Sequence, residues 1–145
     1  MKFTVESTLK RPRSVVWKAF DDPANMSKWQ PGLKSFEHVS GEAGKPGAVS
    51  KLTYIENGRE IVLMETVTRR VEPEAMDGTY TGAGVVNHIK NTFIDVSPNE
   101  TKWVIEVEFL FGSFMMRLLG PLMKGAFVKR TQADLQRFKT LVENS

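Results

Sequence analysis

The sequence predicts an α+β fold in which a curved, seven-stranded antiparallel sheet closes around one long C-terminal helix, with two short helices near the start. Three observations lead to this prediction. Runs of alternating apolar and polar residues, separated by short turns, fill residues 33–111. A further alternating run covers residues 2–9. After residue 120 the apolar residues instead recur at helical spacing.

The chain of 145 residues has the size and composition of one globular domain, 1–145, because 41% of it is apolar and 26% is charged. The net charge is +3, and the basic residues are interleaved with acidic ones, which argues against a nucleic-acid partner. The absence of cysteine excludes disulfides and thiol chemistry and fits a reducing compartment. We see no signal peptide and no apolar run long enough to span a bilayer, so we expect a soluble, cytoplasmic protein.

The first elements are a strand and two short helices. Residues 2–9 alternate as a half-buried strand does. A short helix follows at residues 14–20, opened by a proline and a serine. The second short helix begins at Asp22-Pro23, where aspartate can cap and proline fits the first turn, and it ends near Trp29.

Six strands follow, separated by turns rich in glycine, proline and asparagine. Asn57-Gly58 is the clearest hairpin signal, because both residues tolerate the positive φ of a two-residue turn. Turns this short imply an antiparallel meander. The predicted strands span 33–40, 48–56, 59–71, 75–82, 84–97 and 101–111.

The last element is a helix that we expect to begin at Pro121, because proline breaks a hydrogen bond inside a helix. Residues 113–119 would form a short turn or kinked segment before it. A helix of about 22 residues is about 33 Å long, enough to lie across the concave face of the sheet. Its predicted apolar stripe is Met123, Phe127, Thr131, Leu135, Phe138 and Val142.

Several short motifs occur in a fixed order along the whole chain. They are Pro12…Val16-Trp17…Asp21, Trp29-Gln30-Pro31-Gly32-Leu33, Pro46-Gly47, Glu65-Thr66-Val67, Gly84-Val85-Val86-Asn87 and Thr101-Lys102-Trp103. Together they resemble the START / birch-pollen-allergen / polyketide-cyclase superfamily (SRPBCC). The resemblance implies a helix-grip fold around a hydrophobic cavity. That superfamily spans cyclases, lipid and hormone carriers and chaperone activators, so the fold alone does not choose a function.

Strand alternation predicts which polar side chains enter such a cavity. On the strand 84–97, Asn87 and Asn91 share the face opposite to Lys90, so they are expected to point inward. Glu65 and Tyr54 lie on the apolar faces of their strands. A buried carboxyl resists ionisation, so we expect a raised pKa for Glu65. The expected apolar wall consists of Trp29, Trp103, Phe109, Met123, Phe127 and Phe138.

These polar residues allow three interpretations. Tyr54, Glu65, Asn87 and Asn91 orient a ligand, or Glu65 acts as a catalytic proton shuttle, or all four are satisfied by neighbouring groups and water. His38 and His88 are too few for a metal site, and Gly82-Ala83-Gly84 joins two strands instead of opening a helix. We therefore expect no metal and no cofactor.

Residues 114–123 are more apolar than a one-sided helix requires and include several methionines. They could form a portal beside the cavity that touches a membrane transiently, or part of the core, or a contact in a homodimer. The last alternative predicts a homodimer, and the other two are compatible with a monomer.

Three functions follow from these observations. The first is binding or carriage of a hydrophobic small molecule, such as a lipid, a polyketide or an aromatic compound. The second is an enzyme of the polyketide cyclase or dehydratase type that uses Glu65. The third is a protein- or membrane-interaction module that uses residues 114–123.

Overall fold

The computed structural model describes all residues, 1–145, and its element order follows the sequence prediction. The strands are β1 (Lys2–Leu9), β2 (Leu33–Ser40), β3 (Val49–Glu56), β4 (Arg59–Val71), β5 (Ala75–Gly82), β6 (Val85–Ser97) and β7 (Glu100–Phe111). The helices are α1 (Arg13–Asp21), α2 (Met26–Trp29), α3 (Phe114–Leu119) and α4 (Lys124–Glu143), with 3₁₀ turns at Pro23–Asn25 and Gly120–Met123. None of the helices is both long enough and apolar enough to cross a membrane.

The seven strands form one antiparallel sheet in the order β1-β7-β6-β5-β4-β3-β2. Strands β2 to β7 are therefore the predicted meander, and β1 joins its far edge beside β7. The two-residue hairpin between β3 and β4 forms at Asn57-Gly58, and both residues have positive φ. The turn residues thus fix the register, which in turn fixes the side chains that share the concave face.

The C-terminal helix begins later than the sequence predicts. Pro121 lies in the 3₁₀ turn, and α4 starts only at Lys124. The segment before it is a helix of its own, α3, whose first turn is capped by Ser113 Oγ accepting from the Met116 backbone N–H at 3.1 Å. The physical reason is that proline fits the first turn of a 3₁₀ helix as well as that of an α-helix. The position of Pro121 therefore predicts the start of α4 only to within one turn.

The core occupies one side of the molecule. Helix α4 packs against β1, α1 and α2, so its buried residues Leu135, Phe138 and Val142 rest on that side. Trp103 lies at the centre, with its ring 4.8 Å from Phe138 and 5.5 Å from Phe93. These fully buried rings fill the space between the sheet and the C-terminal half of the helix.

The other side is not filled. The N-terminal half of α4 stands over β3 to β6, and its main apolar contact with the sheet is the stack of Phe127 on Phe109, 4.8 Å between ring centres. The alternation predicted for the strands is observed, since Glu106 and Glu108 point outward while their odd-numbered neighbours on β7 are buried. A bulge in β4 between Val67 and Arg69 reverses the alternation beyond it.

Candidate functional site

A cavity of about 780 Å³ lies between the concave face of the sheet and the N-terminal half of α4. More than half of the residues in its wall are apolar. Trp29 and Phe20 close it on the side of the short helices, while Phe109 and Phe127 lie against the sheet and the long helix. The aromatic core is therefore continuous with one wall of a large apolar space.

The structure brings eight of the ten predicted polar and wall residues into this wall, namely Trp29, Tyr54, Glu65, Asn87, Asn91, Trp103, Phe109 and Phe127. The other two do not line the cavity. Met123 lies in the 3₁₀ turn before α4 and is 45% exposed, because the helix begins one turn later than expected, and Phe138 is fully buried in the aromatic core. Met116 of α3 lines that end of the cavity instead.

A row of polar side chains crosses the concave face of the sheet. Glu65 on β4 is paired directly with Tyr80 on β5, and Tyr80 is paired with Asn87 on β6. On the other side, Glu65 is paired with Ser50 of β3, which is paired with His38 of β2. All five residues line the cavity. Because paired residues on neighbouring strands lie about 5 Å apart, the row is continuous.

Glu65 and Tyr80 perturb each other at the middle of this row. Burial raises the pKa of Glu65 above its usual range, and a hydrogen bond from Tyr80 opposes part of that rise. Burial also raises the pKa of the Tyr80 hydroxyl, and the neighbouring Glu65 carboxylate raises it further. The pair therefore favours its neutral form, with Tyr80 as a hydrogen-bond donor.

Two buried polar atoms in the wall have no partner within the protein. One is the amide oxygen Oδ1 of Asn87, a hydrogen-bond acceptor, and the other is the indole Nε1 of Trp29, a donor. Buried polar groups are almost always hydrogen-bonded, since leaving one unpaired costs about 1–3 kcal/mol. Asn87 and Trp29 both line the cavity, but these two atoms have almost no accessible surface, so a ligand could satisfy them only after a small shift of the side chains that enclose them.

Asn91 lines the same cavity but its amide is already engaged. Its Nδ2 donates to the Met76 carbonyl at 3.1 Å, and its Oδ1 accepts from Trp103 Nε1 at 3.0 Å. The side chain thereby ties β5 and β7 to β6 and fixes the central tryptophan. The hydrogen-bonding groups of the inward-facing Asn91 amide are therefore satisfied within the protein.

Tyr54 belongs to a second polar group where β3 meets α4. Its hydroxyl donates to Gln30 Oε1 at 2.9 Å. Burial raises the pKa of Tyr54, and the Glu65 and Asp134 carboxylates raise it further. Beside it, Arg130 of α4 forms an ion pair with Glu56 of β3. Together these contacts close the gap between the sheet and the N-terminal half of the helix.

Helix α4 contributes a further ion pair to this side. Arg137 pairs with Asp134, and Arg137 Nε donates to the Trp29 carbonyl at 3.1 Å. Burial raises the pKa of Asp134, and Arg137 opposes part of that rise. The charges that face the cavity here are compensated within the protein.

Arg70 lies at the end of the cavity that is next to α1. Its guanidinium binds both carboxylate oxygens of Asp21, at 2.7 and 2.8 Å, and donates to the Gly44 carbonyl at 3.3 Å. It also lies over the Trp17 ring, 5.2 Å from the ring centre. One side chain thus connects α1, the β2–β3 loop and β4.

The sequence prediction missed Tyr80, Gln30, Arg70 and the ion-paired residues of α4. Tyr80 could have been found, because its pairing with Asn87 follows from the short hairpin between β5 and β6. Arg70 could not, since only the β4 bulge turns it inward. No cluster of His, Cys, Asp or Glu is arranged to hold a metal ion.

The comparisons with known proteins agree with this architecture. The sequence profile of the family described as "Polyketide cyclase / dehydrase and lipid transport" matches residues 1–143. A search of curated proteins by sequence finds no significant match.

Solved structures similar to this chain include a START superfamily protein from Mycobacterium smegmatis, with a TM-score of 0.82, 13% identity and coverage of 99% of this chain and 97% of that chain. The Zhui aromatase/cyclase from Streptomyces sp. R1128 has a TM-score of 0.81 and 14% identity, covering 99% and 93%. Ara h 8.0201 has a TM-score of 0.77 and 21% identity, covering 100% and 99%. At these identities the likeness concerns the fold, and it confirms the predicted helix-grip architecture.

Proposed function

Because the chain belongs to the polyketide cyclase / dehydrase and lipid transport family, we propose that it binds a neutral, mostly apolar small molecule that carries at least one oxygen. The observation that carries this proposal is the pair of unpartnered polar atoms, Asn87 Oδ1 and Trp29 Nε1, in the wall of an apolar cavity. A ligand hydroxyl would donate to Asn87, and a ligand oxygen would accept from Trp29.

The size and lining of the cavity support a ligand of this kind. A volume of about 780 Å³ lies within the ~300–1,000 Å³ that is usual for small-molecule sites. Such sites combine a large apolar surface with a few polar groups that orient the ligand. Here Phe109 is the strand neighbour of Asn87 and stacks on Phe127, so an apolar body would lie against these rings while its oxygen faces the row.

The charges around the cavity favour a neutral ligand. Arg70 is neutralised by Asp21, and Arg130 by Glu56. In the middle of the cavity the raised pKa of Glu65 favours an uncharged carboxyl. Lys45, a further cation of the lining, is exposed and forms no ion pair. In the middle of the cavity an ionised ligand would therefore lose its hydration without gaining a counter-charge, which is costly in a buried site.

The test compares two probes of nearly equal shape, 2-naphthol and 2-methylnaphthalene, by isothermal titration calorimetry. We expect the wild-type protein to bind both and Asn87→Leu to shift the ratio of their affinities about fivefold or more against 2-naphthol, because its hydroxyl loses the acceptor. Lys90→Leu, on the outer face of the same strand, should leave the ratio unchanged. Binding of neither probe, or an unchanged ratio in Asn87→Leu, would contradict the proposal.

A second candidate function is proton transfer, and the direct pairing of Glu65 with Tyr80 favours it. In its ionised form Glu65 could remove a proton from the carbon beside a ligand carbonyl while Tyr80 donates to the developing oxyanion, and a raised pKa makes this carboxylate a stronger base than an exposed one. The cyclase activity of a neighbour with the same fold is a property of that protein.

Exchange of the α-protons of 2-tetralone in deuterated water, followed by NMR, tests this candidate. Catalysed exchange that is lost in Glu65→Gln, with binding of 2-tetralone retained, would support it. Exchange at the uncatalysed rate in the wild-type protein, or exchange that survives in Glu65→Gln, would leave binding as the function.

A further inference from the structure

An exposed apolar patch surrounds one end of the cavity. It is formed by α3 and the following 3₁₀ turn, where Leu122 is 81% exposed and Phe114 is 73% exposed. The other members are similarly uncovered, and the full patch is Phe114, Met115, Leu118, Leu119, Leu122 and Met123. Large apolar side chains gathered in this way mark a surface that contacts something other than water.

The patch is held in place by a specific contact with the sheet. Gly120 is buried against the ring of Phe111, where a Cβ atom would come within 2.3 Å of that ring. Arg117 Nε donates to the Phe111 carbonyl at 3.3 Å. The exposed apolar side chains are therefore carried by a segment docked on the end of β7.

The charged residues within the stretch that forms the patch all have one sign. Residues 109–133 contain no aspartate or glutamate. Arg117, Lys124 and Lys129 are exposed within this stretch. The neighbouring β5–β6 hairpin adds no charge, because residues 79–86 contain no Asp, Glu, Lys or Arg. An apolar centre with exposed cations is the pattern of surfaces that lie on anionic lipid.

We propose that this apolar patch docks on the surface of an anionic lipid bilayer, with Leu122 and Phe114 inserted at the headgroup boundary. A second copy of the chain is a poorer partner. In a symmetric dimer the same patch meets itself, so Arg117, Lys124 and Lys129 of both copies would approach one another without an acidic residue to compensate them.

The position of the patch next to the cavity suggests that docking serves ligand transfer, an inference that rests on the proposed function. Met116 of α3 lines the cavity from the inside, and Phe111 and Gly82 line the same end. A bilayer contacting the outer face of α3 would therefore lie next to that end of the cavity. An apolar ligand could pass between the acyl region and the cavity without crossing bulk water.

The test is sedimentation of the full chain, free of added cavity ligand, with two kinds of vesicle. One kind is pure phosphatidylcholine and the other is phosphatidylcholine with roughly one quarter phosphatidylserine. We expect binding to the anionic vesicles that falls as salt is added, since screening acts within about 10 Å at 0.1 M. Leu122→Glu should weaken binding about tenfold or more, and Lys124→Glu about fivefold or more.

Val96→Glu is the matched control, because Val96 is an exposed apolar residue at the opposite end of the sheet. It should bind anionic vesicles as the wild-type protein does. No binding to anionic vesicles, equal binding by Leu122→Glu, or a dimer in solution that Leu122→Glu dissociates would overturn the proposal. Binding of the probe 2-naphthol to each variant is measured separately. A failure of docking on vesicles is therefore distinguishable from a failure of ligand binding.

Discussion

Asn87 and Asn91 show how much the partners of a residue matter. Both are asparagines on the inner face of β6, and the sequence pattern makes them equivalent. In the structure the amide of Asn91 bonds Met76 and Trp103, whereas the oxygen of Asn87 has no partner. Asn91 is therefore part of the framework of the cavity, and we propose that Asn87 contacts the ligand.

This difference predicts opposite effects of the same substitution. Asn91→Leu leaves the buried Trp103 Nε1 without an acceptor and should lower the free energy of unfolding by about 1–3 kcal/mol. Asn87→Leu removes a group that is already unpaired and should leave the free energy of unfolding unchanged or raise it. Urea denaturation of both variants checks this. Equal destabilisation would show that the two amides are equally engaged.

Glu65 predicts a dependence of stability on pH. Burial raises its pKa in the folded protein above the ordinary value of 4.5, so below that value both folded and unfolded chains hold the proton. As the pH rises further, the unfolded chain releases its proton first. The wild-type protein should then lose stability relative to Glu65→Gln, by at most about 1.4 kcal/mol per pH unit, until the pH passes the raised pKa.

Urea denaturation of the wild-type protein and Glu65→Gln between about pH 4 and about pH 8 measures this difference. Taking the difference between the two proteins removes the contribution of Asp134, whose pKa burial also raises. Free energies that run parallel across this range would mean that Glu65 ionises in the folded protein as easily as in water.

At the scale of elements, the bulge in β4 determines which arginine enters the molecule. Arg69 and Arg70 are neighbours, but the side chain of Arg70 is only 13% exposed and that of Arg69 is 59% exposed. Arg70 joins three elements at the end of the cavity through Asp21, Gly44 and Trp17. Arg69 reaches Asp77 only at 3.8 Å.

Arg70→Met should therefore lower the free energy of unfolding by about 2 kcal/mol, because it leaves the Asp21 carboxylate without its charged donors. Arg69→Met is the control and should cost less than about 1 kcal/mol, because the Arg69 side chain is mostly exposed and meets the Asp77 carboxylate only at 3.8 Å. Thermal or urea denaturation of the two variants decides between them. A loss as large in Arg69→Met as in Arg70→Met would mean that the bulge does not place the two side chains differently.

At the scale of the whole molecule, the aromatic core fills the β1 side and the cavity occupies the β3–β6 side. A substitution that adds volume should have a different cost on each. Ile89→Phe extends a side chain from β6 toward Gly78 of β5, which has no side chain of its own. We expect it to lower the affinity for 2-naphthol about tenfold while changing the free energy of unfolding by less than about 1 kcal/mol, because the added atoms enter unfilled space.

Ile94→Phe, an exposed position on the outer face of the same strand, is the control and should leave the affinity unchanged. Calorimetric titration together with urea denaturation gives both quantities. If Ile89→Phe destabilised the protein strongly without affecting probe binding, this part of the cavity would be packed in solution.

The fold was predictable because strand alternation and turn residues are local signals. The inner faces of β6, of β7 and of β4 as far as its bulge follow from alternation alone, and Asn57-Gly58 places its hairpin. The interior is less predictable, since the volume of the cavity depends on where α4 rests. The sequence pattern treats Phe127 and Phe138 as one stripe, yet Phe138 lies in the solid core and Phe127 lines the cavity. Which of the two phenylalanines reaches the solid core depends on packing between elements that are distant in the sequence. Local periodicity contains no information about that packing.

The uneven support of α4 bears on how the protein distinguishes one compound from another. Its C-terminal half is fixed by Phe138 in the aromatic core, whereas its N-terminal half meets the sheet through the Phe127 stack and the Arg130–Glu56 pair. A small tilt of the less supported half changes the room available to a guest without disturbing the core. The hydrogen-bonding groups on the sheet do not move with it. For the proposed ligand we therefore expect selectivity to depend weakly on the length of the molecule and strongly on where its oxygen atoms are placed.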